Sequence, residues 1–192
     1  MTHRNNKEKG FALLISLIVV SVVISIGLVI LDLTLKQLRL STNSKESETA
    51  IHAANAGLEC ARFWRNEESE KIEGGNVLSP ACFGGKSMTA SSASVNASGG
   101  ASAYSYEFEA TWGTGLTTRC SEMNIIVIVS DFNTASVVGE TVIKGILPGY
   151  PEGDKTCPAG GVCTILSSKG YSRACEDKNK AGTVQREVLL EL

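Results

Sequence analysis

From Phe11 to Leu31 the chain carries no charged residue and no proline. At about 1.5 Å per residue, a helix of that length reaches across a hydrocarbon core of roughly 30 Å. The segment is therefore expected to span a bilayer. Its upstream boundary is abrupt: in "EKGFALLISLIVVSVV" a charged leader gives way at Gly10 to an unbroken apolar run. Ahead of it stand His3, Arg4, Lys7 and Lys9 against the single Glu8. A basic flank stays on the cytoplasmic side, so the C-terminal bulk is expected to face outward. Two other readings compete. A cleaved secretory signal would use Ser25 and Gly27 as its small-residue pair, but would leave "LVILDLTL" as an exposed apolar terminus. A permanent signal anchor explains the hydropathy and gives Gly10 no role.

At 192 residues the chain suits one domain plus a long helix. The formal charge is −2, and the first ten residues are net basic, so the remainder is more acidic still. Such a balance offers no basic stripe for generic nucleic-acid binding. Six cysteines, Cys60, Cys82, Cys120, Cys157, Cys163 and Cys175, all follow the apolar run, and an even count on the exported side reads as disulfides. The tightest pair lies in "CPAGGVC", where Pro158, Gly160 and Gly161 allow the reversal that brings Cys157 to Cys163. Chain order favours Cys60 with Cys82 and Cys120 with Cys175, and other pairings stay open. Structural zinc would want C-x-x-C pairs or several histidines, whereas only His52 lies beyond the leader. No metal and no cofactor is expected.

The chain is expected to be α+β, a long N-terminal transmembrane and amphipathic helix packed against an antiparallel β-sheet headpiece. Residues 1–10 form the leader and 11–31 the membrane half of the helix. Residues 32–65 have no proline and continue as its amphipathic half, with Leu40, Ser47, Ile51, Ala54, Leu58 and Ala61 at heptad-like spacing. The small residues of that stripe let another element approach closely, and Gly57 marks close packing or a bend. Residues 66–103 make a Ser/Gly/Ala-rich region. Within it "GGKSMTASSASVNASGGASA", Gly84 to Ala103, is expected to be a mobile loop that holds the sequon Asn96-Ala97-Ser98. Residues 104–192 form the headpiece. "AYSYEFEATW" alternates Tyr104, Tyr106, Phe108, Ala110 and Trp112 against Ser105, Glu107, Glu109 and Thr111, as a half-buried strand does. "MNIIVIVSDF", "SVVGETVIKGIL", "CTILSS" and "TVQREVLLEL" read as further strands, one face of the sheet being covered by the alanine-rich helix stripe.

No catalytic constellation is visible, since a Ser or Cys nucleophile needs a base oriented by a third group. His52 sits in "AIHAANAG" on the predicted helix, where a solvated or packed role fits it. Asp131 and Asn133 have calcium-loop spacing, but Ala135 and Ser136 break the pattern. "GILPGYPEGD" reads as an exposed loop with two carboxylates.

A basic leader ending in Lys9-Gly10, then Phe11, an apolar helix and a disulfide-bearing headpiece together resemble a class III prepilin, the precursor of type IV pilins and type II secretion pseudopilins. "SETAIHAANAGLECARFW", Ser47 to Trp64, is similar to a signature of minor pilins of the PilX type, and "SSKGYSRAC…TVQREVLL" resembles the C-terminal strand pair of some pilin-like proteins. The resemblance implies cleavage by prepilin peptidase between Gly10 and Phe11 and N-methylation of Phe11. It implies residence as a single-pass inner-membrane protein, then in an extracellular filament, with other pilin subunits as partners through the N-terminal helix. A DNA-uptake pilin is a variant of this reading, against which the acidic balance weighs only mildly; no specific nucleic-acid partner and no enzymatic activity is expected. The usual glutamate five residues into the mature pilin is here Ile15. The alternatives are a signal-anchored binding protein or adhesin that never assembles, and an exported disulfide-rich enzyme.

Overall fold

The computed structural model describes residues 7–85 and 88–192, so most of the leader, including His3 and Arg4, and residues 86 and 87 of the expected loop lie outside it. Helix α1, Lys7–Glu67, is continuous through both the apolar and the polar stretch. It is followed by a short α2, Ser69–Glu73, and by the strands β1, Ser92–Ser94, β2, Ser102–Trp112, and β3, Arg119–Val129. Next come β4, Ser136–Val138, α3, Glu140–Ile146, β5, Lys155–Cys157, β6, Val162–Tyr171, and β7, Gln185–Glu191. Five strands form one antiparallel sheet in the order β1-β2-β3-β6-β7, and β4 pairs with β5 in a separate two-stranded ribbon. The fold is α+β with the helix packed on the sheet. By contact density the chain divides into two units, residues 1–44 and 45–192.

In the second unit alternate residues of the sheet serve two cores, as the period of two requires. One face meets α1 and α2 and gathers Leu58, Ala61, Ile72, Tyr106, Phe108, Met123, Ile125, Val127 and Leu166. The other is covered by α3 and the loops beside it, with Ile126, Ile128, Val138, Ile143, Leu147, Tyr150 and Ile165. The central strand β3 is buried on both sides, which explains its nearly unbroken apolar run.

Three expectations need correction. "SVVGETVIKGIL" is not one strand: β4 ends at Val138 and α3 begins at Glu140. Ile143 and Leu147, one helical turn apart, are both buried, and Asp154 Oδ1 accepts the Glu140 amide at 2.7 Å to secure the helix start. The Ser/Gly/Ala-rich segment holds regular structure, with β1 paired to the edge of β2 and Val95 buried against it. The packing stripe of α1 keeps Ala54, Leu58 and Ala61 of the expected one but differs at its margin. Its buried residues are Ala50, Ala53, Ala54, Gly57, Leu58, Ala61 and Arg65, whereas Ile51 sits half-buried at the margin and Leu40 is 70 % exposed. The sheet selects the smallest side chains because its own glycine and serines, Gly170, Ser121 and Ser168, meet the helix there.

Candidate assembly interface

The first unit presents an apolar surface with few partners of its own. From Phe11 to Leu40 the large apolar side chains of α1 are between 45 and 70 % exposed, Ile15 being the least so. The few hydroxyls between Phe11 and Leu35 turn inward: Ser16 donates to the Leu13 carbonyl, Ser21 to Ile18, Ser25 to Ser21 and Thr34 to Ile30, each at 2.8 Å. Each of these hydroxyls is thus satisfied by the helix itself, as an apolar surrounding demands. The first charge after the apolar run, Asp32, is paired with Lys36 one turn on at 2.7 Å. The helix is long and apolar enough to cross a membrane. The Gly10–Phe11 junction lies within α1 rather than at its start.

In the second unit the helix is fixed to the sheet by close approach and by a few directed bonds. Ala54, Leu58 and Ala61 are buried in the interface, as are Ala50 and Ala53. Ser121 Oγ donates to the Ala53 carbonyl at 2.7 Å. Arg65, only 9 % exposed, donates from Nε to Thr164 Oγ1 at 2.9 Å and from Nη2 to Glu73 Oε1 at 2.7 Å. Sequence reasoning missed Arg65, although its place one turn beyond Ala61 on the same stripe was a usable signal. His52 is exposed and 3.9 Å from Glu48, a surface pair with no catalytic partner among the described residues.

All six cysteines are bonded: Cys60–Cys82, Cys120–Cys175 and Cys157–Cys163. The first ties α1 to the segment after α2, the second ties the 172–184 segment to β3, and the third closes the loop between β5 and β6. Glu109 comes within metal-ligand reach of Cys120 and Cys175, but both sulfurs are spent in their disulfide. The Asp131 carboxylate accepts the Phe132 amide at 2.7 Å as an ordinary turn, and Asp154 is the α3 cap already described.

Beside the second disulfide lies a charged cluster on the α3 side of the sheet. Lys178 contacts Glu109 and donates to Glu122 at 3.0 Å, while Lys169 reaches the other Glu122 oxygen at 3.3 Å and Tyr171 donates to Glu122 at 3.2 Å. Burial by itself would raise the Glu122 pKa. The hydrogen bond from Lys178, with Lys169 alongside, outweighs burial and holds the carboxyl below its ordinary range. Tyr171 is pushed up to about 12 by burial and then by Glu122. These groups stabilise one another, and none of them is left as a free acid or base.

Comparison with known proteins finds no family model, no curated protein and no solved structure that matches. The long N-terminal apolar helix packed on an antiparallel sheet is compatible with a pilin-like architecture.

Proposed function

We propose that this chain is a minor subunit of a type IV pilin-like filament, of the type IV pilus or type II secretion kind, with a structural and assembly role. The observation that carries the reading is the apolar half of α1, exposed from Phe11 to Leu40, uncharged as far as Leu31, with its hydroxyls satisfied internally. Such a helix suits two successive environments, lipid before assembly and neighbouring helices after it. Removal of residues 1–10 by a prepilin peptidase, with methylation of the new Phe11 amine, would keep that surface intact. Cutting beyond it would destroy both uses. The three disulfides fit an exported headpiece.

Ile15 supports a place at or near the filament tip. In the resembling family a glutamate here is thought to neutralise the amine of the subunit ahead. An uncompensated carboxylate costs on the order of 2.5 to 3.5 kcal/mol at the centre of a membrane helix and less toward its end, where Ile15 stands, but the cost keeps its sign. A leading subunit has no amine ahead of it and does better with an apolar residue. Quantitative mass spectrometry of sheared filaments tests the assignment: this chain should be rare beside the most abundant pilin and depleted when Gly10→Val blocks processing. Comparable copy number would overturn the tip position, and absence from filaments would overturn the subunit role.

A further inference from the structure

On the α3 side of the sheet, between Ile146 and the charged cluster around Lys178, lies an open cleft of about 440 Å³. Its floor is Asn124, and its walls include Glu107, Glu109, Ser105, Ala93 and Ile146. Asn124 is 3 % exposed, yet its side-chain amide has no hydrogen-bond partner among the described residues. The amide is not one of the fully enclosed orphan groups; it borders the open cleft, where a ligand can take the place of water. Glu107, directly opposite Asn124 in the register of β2 and β3, is exposed and makes no ion pair among the described residues.

The adjoining row of the same sheet shows what this arrangement accepts. Two residues along each strand, Glu109 stands opposite Glu122, and that pair is bridged by the ammonium of Lys178. The rows are about 7 Å apart, two strand residues. The chain thus fills one acidic cross-strand row with its own ammonium and leaves the next one open, with an amide oxygen in place of the second carboxylate. The cleft is far larger than an ion, since a water occupies about 30 Å³, and Ile146 and Ala93 give it apolar walls suited to a methylene stem.

We propose that this cleft binds a primary alkylammonium group, with Glu107 as the counter-charge, the Asn124 carbonyl oxygen and Ser105 hydroxyl as acceptors, and Ile146 against the stem. The group is supplied either by a lysine side chain of a partner protein or by a free alkylamine. Neither source requires filament membership.

The test uses the full chain, isotope-labelled, in zwitterionic micelles, titrated with n-butylammonium, with N-acetyl-lysine N-methylamide and with neutral 1-butanol. The side-chain amide signals of Asn124 report binding. The expected result is a saturable shift with at least one amine and none with butanol. Glu107→Gln, at an exposed position, should weaken the amine about threefold or more, the scale of one partly exposed ion pair. Tighter binding of the capped lysine identifies a protein side chain as the natural source, and tighter binding of butylammonium a free amine. A response to butanol equal to that of the amines, no saturable shift with either amine, or undiminished binding by Glu107→Gln would overturn the assignment.

Discussion

Gly170 of β6 lies against the backbone of Ala54 in α1: a Cβ built on the glycine would stand 2.1 Å from the Ala54 amide nitrogen and equally near the Ala50 carbonyl oxygen. Neither atom can step aside without moving the helix. Gly170→Ala should therefore destabilise the headpiece toward or beyond the upper end of the roughly 1–3 kcal/mol seen for overpacked sites. At Gly57 the nearest atom is the Ser168 hydroxyl at 2.3 Å, which can rotate, although Ser121 Cβ at 2.8 Å cannot. Alanine at Gly57 also gains about 1 kcal/mol of helix propensity. Denaturant midpoints of the full chain in micelles should rank Gly57→Ala as the milder change.

The three disulfides should differ in value by the loops they close. Their sequence separations are 55 for Cys120–Cys175, 22 for Cys60–Cys82 and 6 for Cys157–Cys163. Loop-closure entropy makes these worth about 4, about 3 and about 2 kcal/mol. Paired Cys→Ser variants compared by thermal or denaturant unfolding should follow that order, and a largest loss at Cys157–Cys163 would contradict it.

Acid should weaken the headpiece through Glu122 and Glu191. Hydrogen bonding from Lys155, against burial and with help from Tyr150, holds Glu191 below its ordinary value, as Lys178 and Lys169 do for Glu122 against its burial. A carboxyl with a lowered folded-state pKa contributes stability above its unfolded pKa and loses it as pH falls through the folded value. Stability should thus hold at neutral pH and decline below about pH 4.5, the acid limb flattening in Glu122→Gln. At the alkaline end Tyr150 and Tyr171 are pushed up to about 12, by burial and then by Glu191 and Glu122 respectively. Their contribution is complete below about pH 10 and fades as pH rises through about 12. Tyrosinate absorbance should show Tyr150 and Tyr171 titrating late, with Tyr106 also held above its ordinary value by burial, and stability measured across both limbs checks the sign.

The long helix and β2 were legible because each rests on a local pattern, an uncharged run for one and strict alternation for the other. The α3 segment misled because its β-branched Thr141, Val142, Ile143 and Ile146 favour strands, while its cap, Asp154, is supplied from a later loop. The helix stripe was right at Ala54, Leu58 and Ala61 and off at Ile51, which outweighs alanine in hydropathy, whereas around Gly57 and Gly170 helix and sheet approach too closely for a large side chain. The cleft was out of reach for a related reason. Glu107 and Asn124 face each other only through the β2–β3 register, which no local pattern specifies.

The most direct test of the account is the N-terminus of the native protein, read by intact mass and terminal sequencing from its own membrane. A chain beginning at N-methylated Phe11, with all six cysteines bonded, is the expected result. A chain that retains Met1 to Gly10, or that begins near Leu28, would contradict it.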